Sequence, residues 1–283
     1  MKGDYSIKIV PLYEGMSKYI KEANANSNSN LSKLWTKHVI DYYWDEWASG
    51  QFNEERTRAQ IEKPITVLNR LSIVVEQFSS SEINSMIQNS YAEMTQILPP
   101  PENNKIISIY ANPHLGEDVG GVVGSCVGDN ILLQINTTIP GWKSIVPWVI
   151  AHEYHHTIWG YNYFYINGNT NLHLLTGLIS EGQADSFAKY LNKDITVPWI
   201  NALNKQQEYE QWLIIQKYLN NTDTKIYQRF FFGDEKTNTP KYTAYAIGYH
   251  IVQDYLGVYP ETSFYELLDI DAYEILKESG YQR

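Results

Sequence analysis

Apolar and polar positions follow two rhythms along this chain, and the rhythm changes near residue 100. Before it, apolar residues recur every three or four positions. Leu31, Leu34, Trp35, Val39, Tyr42, Tyr43 and Trp47 share one face of an amphipathic helix. His38 falls on that apolar face, where a hydrogen-bonded core histidine is expected rather than a ligand. Further helices are expected over residues 65–78 and on to Ile97, with one short strand earlier, over residues 5–10. Pro99, Pro100 and Pro101 form a rigid stop. A mainly helical N-terminal lobe (1–101) is therefore expected, followed by a second lobe (102–283).

Past the prolines, strand patterns take over. Residues 106–110, 119–127 and 131–135 are rich in Val and Ile, and Gly128, Asp129 and Asn130 turn the last two into a hairpin. Gly120, Gly121 and Gly124 make the middle strand glycine-rich, which weakens a strand unless another backbone must approach closely. Helical spacing then returns through mainly helical C-terminal parts. The fold class that follows is α+β.

The most informative helix runs through Trp148, Ala151, His152, Glu153, His155, His156 and Trp159. Ser144 is placed to cap it, Pro147 falls in its first turn, and Gly160 follows where it would stop. His152 and His156 are four apart, so they stack on one face and can grip one metal ion. Glu153 is rotated off that line yet borders the open side of such an ion, where a base for a bound water is needed. A His152/His155 pair, three apart, is also geometrically possible. The bland alternative is a buried helix with hydrogen-bonded histidines.

A second helix is expected over residues 171–191. Gly177, Glu181, Ala184 and Ala188 share a stripe on it, so Glu181 points into a close helix contact. A buried carboxylate is costly alone and well placed on zinc, which makes Glu181 the candidate third ligand. Asp185, one turn on, is placed to accept the outer N–H of a ligating histidine. The competing reading leaves both acids solvated.

His-Glu-x-x-His followed by a helix bearing Glu-x-x-x-Asp resembles the gluzincins, the zinc peptidases related to thermolysin. The fuller set of His152 to His156, Ser180-Glu181-Gly182 and Tyr245-Ala246-Ile247-Gly248-Tyr249 looks more narrowly like a bacterial family of predicted zinc-dependent proteases of unknown function. This resemblance covers the region from about residue 104 onward. It implies a zincin-like catalytic lobe built on a small mixed sheet with a glycine-rich edge strand, one Zn2+ per chain on His152, His156 and Glu181, and Glu153 as general base. It also implies a tyrosine donor for the oxyanion, with Tyr249 and Tyr245 the candidates and His250 behind them. By the same resemblance, Gly120, Gly121 and Val122 would line an edge strand that binds an extended peptide. Single tyrosines that merely pack, and a bulged edge strand without a ligand, are the competing readings.

Composition narrows the partners. The chain has 283 residues and a formal net charge of −10, which argues against nucleic acid or an anionic membrane as the main partner. No apolar run is long enough for a membrane span. The N-terminus lacks a basic-then-apolar leader pattern, giving a cytoplasmic expectation. The single cysteine, Cys126, cannot form an internal disulfide and is expected to be a small core residue. The expected activity is hydrolysis of a peptide or protein substrate. The alternatives are hydrolysis of a non-peptide amide on the same ligands, and a non-catalytic peptide-binding or regulatory protein.

Overall fold

A computed structural model describes residues 5–26, 28–47, 54–78, 80–101 and 104–281. The chain divides into two compact units, Met1–Thr157 and Ile158–Arg283. The proline run is not where this division falls, because the strands on either side of it pair with each other.

The first unit holds a four-stranded sheet, β1 (Ser6–Val10), β2 (Asn104–Ala111), β3 (Val122–Val127) and β4 (Asn130–Ile135), in the order β1-β2-β4-β3. β1 and β4 both run parallel to β2, while β3 runs antiparallel to β4 as an edge. The mixed sheet and all four expected strands are therefore present. Gly128 turns the β3–β4 hairpin at φ 59°, a left-handed conformation that glycine adopts without steric cost. Leu132, Leu133 and Ile135 are fully buried, as expected for a central strand.

Helices α1 (Leu12–Ala25), α2 (Leu31–Trp35), α3 (Asp41–Trp47), α4 (Glu54–Ile61), α5 (Leu68–Glu76) and α6 (Ser80–Ile97) complete most of this unit. α2 passes into α3 through a π-helical turn, Thr36–Ile40. Gly15 on α1 makes room for this turn, since a Cβ there would collide with the carbonyl of His38. Trp35 is fully buried, donates its indole N–H to the Ile61 carbonyl at 2.8 Å, and meets Tyr19 and Tyr110 edge-on. His38 is held by Glu22, Nε2 to Oε2 at 2.7 Å, so its partner is an acid, in keeping with a structural histidine.

α7 (Trp142–Gly160) is the long helix of the motif. It begins three residues earlier than a Ser144 cap suggests. Gly141 at φ 81° precedes it, and the Ser144 hydroxyl donates to the Gly141 carbonyl at 2.7 Å instead of capping a later start. Pro147 consequently lies inside the helix. Gly160 does not stop it either. Its φ and ψ are helical (−62° and −41°), and the chain continues as a π-helical turn, Tyr161–Ile166. Residues 161–166, beyond the expected stop, thus extend α7. Stacking of Trp159 on Tyr163 and of Tyr161 on Tyr165 lines this extension with rings.

The second unit contains α8 (Leu174–Leu191), α9 (Lys205–Ile215), α10 (Thr224–Phe232), α11 (Thr243–Val258), α12 (Phe264–Leu267) and α13 (Ala272–Ser279). The first amides of α8 are satisfied by a neighbouring loop: Leu174 and Leu175 donate to the carbonyls of Asn221 and Leu219. α8 and α11 touch backbone to backbone through Gly182 and Gly248. A Cβ on either would collide with a carbonyl of the other helix. The close contact thus runs through these two glycines, whereas Gly177 gives clearance to the ring of Tyr227. Phe230 and Phe231 are buried in this core, but Phe232 is exposed. Among the described residues, no helix is long and apolar enough to cross a membrane.

Candidate metal centre

On α7 the Nε2 atoms of His152 and His156 face each other at 3.0 Å, with the rings nearly perpendicular. Two imidazole nitrogens on one tetrahedral zinc, each about 2.0–2.1 Å from it, stand about 3.3 Å apart. The observed separation suits a shared ion. One ligand atom from each of His152, His156 and Glu181 lies within 4.8 Å of the others, a group that could hold a metal ion. Two neutral imidazoles and a carboxylate form a donor set suited to zinc and leave a fourth position open. His155, three residues after His152, is fully buried and turns its ring edge-on to His156. It is not part of the group of possible ligands.

Glu153 follows the first histidine on α7 and is mostly buried. β3 forms its immediate surroundings. Cys126 Sγ lies 3.3 Å from Glu153 Oε2 and 3.2 Å from the Glu153 carbonyl. A Cβ on Gly124 would collide with Glu153 Cγ. The expectation of Cys126 as plain core filling therefore misses its contact with a carboxylate. Alternation places residues 124 and 126 on one strand face but does not say what that face meets.

Gly120, Gly121 and Val122 are arranged differently from the sequence expectation. Gly120 (φ 59°) and Gly121 (φ 73°) lie in the turn that leads into β3, after a short 3-10 turn, Glu117–Val119. Their left-handed backbone explains why glycine is used there. Val122 opens the strand but is fully buried. Of the three expected strand glycines, Gly124 alone lies within β3.

On α8, Asp185 is fully buried. The indole N–H of Trp199 reaches both of its carboxylate oxygens, at 3.0 and 3.1 Å. Nothing in the sequence spacing points to Trp199, which lies in a short turn, Trp199–Asn201, beyond the end of α8.

Tyr245 and Tyr249 stand on one face of α11. Tyr249 is buried, and burial first, then the charge of Asp185, raises its pKa above the usual tyrosine value. Its hydroxyl therefore stays protonated, and a donor, to higher pH than a free phenol. Tyr245 packs edge-on against Phe231 and near Tyr242. His250 is engaged elsewhere: its Nδ1 meets Glu208 Oε1 at 2.9 Å, and the same oxygen accepts the hydroxyl of Tyr281 at 2.7 Å.

Residues 83–277, more than half of the chain, match the model of the family described as predicted Zn-dependent protease (DUF2268). The chain belongs to this family. The matched region contains the α7 histidines, Glu153, Glu181 and both tyrosines. An uncharacterized protein of Bacillus subtilis (strain 168), YjfC, is 27% identical over 145 residues, 48% of this chain and 47% of that protein. The match spans about half the length of that relative. No solved structure matches the chain.

Proposed function

We propose that this protein is a single-zinc peptidase of the gluzincin type, with His152, His156 and Glu181 as ligands. The observation that carries this reading is the convergence of those three ligand atoms within 4.8 Å, in a member of a predicted Zn-dependent protease family. Bound zinc would supply an electrophile for the substrate carbonyl and an acidified water.

The chain's own residues do the rest. Glu153 takes the proton from the attacking water and returns it to the leaving amine. Its near-complete burial keeps that carboxylate away from bulk solvent. The Tyr249 hydroxyl donates to the carbonyl oxygen as negative charge builds on it. A raised pKa suits this role, because the group must remain a donor. Asp185, held by Trp199, adds fixed negative charge near Tyr249. Tyr245 packs into the α11 core and is the weaker candidate donor.

Metal analysis tests the reading. Protein purified without added metal, or incubated with zinc at neutral pH, should carry about one zinc per chain. His156→Ala and Glu181→Ala should carry almost none while keeping their helical circular dichroism. Absence of zinc from the unaltered protein after that incubation removes the proposal.

A further inference from the structure

The first unit contains a contact that the catalytic proposal does not use. β3 presents Gly124 and Cys126 on the same face, two residues apart, and both meet Glu153 of α7. The Gly124 contact is one of clearance. An ideal Cβ there would overlap Glu153 Cγ and lie 2.8 Å from both Cδ and Oε1. No rotation of an added methyl removes that overlap, so any larger residue must move the strand or the carboxylate. The Cys126 contact is polar. Its Sγ is 3.3 Å from Oε2, and a carboxylate oxygen accepts, so the thiol donates. The Glu153 carbonyl, 3.2 Å from Sγ, is an alternative acceptor on the same residue.

Both neighbours constrain the same side chain from the same strand. β3 is fixed in turn by its antiparallel register on β4, with Gly124 opposite Leu133 and Cys126 opposite Ile131. Leu133 and Ile131 are buried, so the strand cannot shift easily to absorb a larger residue.

We propose that Gly124 and Cys126 are positioning residues for Glu153. Gly124 leaves the space the carboxylate occupies, and the Cys126 thiol engages Oε2, so that the carboxylate is held in one orientation for proton transfer. A base must stand within hydrogen-bond reach of the proton it removes, and a misplacement of about 1 Å can cost about 100-fold in rate. This inference rests on the reading of Glu153 as base, and its test separates the two.

The chain has one cysteine, so the Raman S–H stretch of the whole protein reports Cys126 alone. In Glu153→Ala the band should move to higher frequency as the thiol loses its charged acceptor. This readout needs neither zinc nor a substrate. In kinetics on a cleavable peptide, Cys126→Ala should lower kcat about tenfold, the weight of one hydrogen bond. KM and zinc content should stay unchanged, and Cys126→Ser, which keeps a donor, should restore most of the rate. Gly124→Ala should lower kcat about 100-fold with zinc retained. A band that does not move in Glu153→Ala overturns the proposal whatever the activity. So does a Cys126→Ala enzyme with unchanged kcat. Full activity of Glu153→Gln would instead overturn the base reading and leave the Raman result standing as evidence on the contact itself.

Discussion

Trp199 donates its indole N–H to both carboxylate oxygens of Asp185, at 3.0 and 3.1 Å, and both side chains are buried. A hydrogen bond to a charged group contributes about 1.5–3 kcal/mol, and losing one leaves a buried carboxylate less well satisfied. Trp199→Phe keeps an aromatic ring but removes the donor and some volume. The expected loss of stability is about 2–4 kcal/mol, read from urea denaturation. A loss below about 0.5 kcal/mol would show that the indole contributes packing alone.

That pair marks the limit of what the sequence makes legible. The strands, the α7 and α8 helices and the candidate ligands follow from local periodicity and from one short motif. Each depends on residues within a few positions of one another, where helix and strand geometry are reliable guides. Contacts between distant segments leave no such trace. Trp199 on Asp185, Cys126 on Glu153 and the Gly182–Gly248 crossing depend on tertiary packing. Helix ends are less legible. Pro147 and Gly160 suggest a start and a stop, yet both lie within α7. Proline and glycine are only biased against helix interiors, by about 3 and 1 kcal/mol, and packing of a long apolar helix can exceed that bias.

Glu153→Gln distinguishes chemistry from metal binding. Glutamine has nearly the same shape and still accepts from Cys126, but it cannot take a proton. Zinc content should remain near one per chain, while kcat on a cleavable peptide falls by about 100- to 10,000-fold. Mass spectrometry for metal and a peptide cleavage assay measure the two quantities on one preparation. Normal turnover in this variant would reassign the base.

Removing the metal should also loosen the fold. A ligand that binds the native state and not the unfolded chain stabilises by RT ln(1 + [L]/Kd), about 2.7 kcal/mol at a free concentration 100 times Kd. Thermal unfolding with a chelator and with excess zinc should therefore differ in midpoint. Glu181→Ala should lose most of this difference, because one ligand is gone. Equal midpoints in the unaltered protein would mean that zinc does not bind the native state.

Alkaline pH should destabilise the first unit. Burial is the main cause that pushes the hydroxyls of Tyr43 and Tyr91 up to about 12. In the unfolded chain a tyrosine ionises near 10. Between about pH 10 and 12 the unfolded state therefore binds fewer protons than the native state, and stability falls as pH rises. The contribution is complete below pH 10 and lost toward 12. Denaturant midpoints at pH 9, 10 and 11 should decline in order, and Tyr43→Phe should make the decline shallower. An unchanged slope in that variant would show that Tyr43 is not among the groups responsible.

Two glycines should respond in opposite directions to the same substitution. Each sits in a helix, and alanine there gains about 1 kcal/mol from helix propensity. At Gly160 a Cβ meets nothing within 4 Å and the backbone is already helical, so the gain is uncompensated. Gly160→Ala should stabilise by about 0.4–1 kcal/mol. At Gly182 a Cβ would run into the backbone carbonyl of Gly248, and Val252 Cγ2 lies 2.9 Å away. Backbone cannot yield as the end of a flexible side chain does, and overpacking costs about 1–3 kcal/mol or more. The steric term therefore outweighs propensity, and Gly182→Ala should destabilise by at least about 1–2 kcal/mol. Paired urea melts of the two variants compare these effects directly. A stabilised Gly182→Ala would mean that α8 and α11 do not meet backbone to backbone at Gly182 and Gly248.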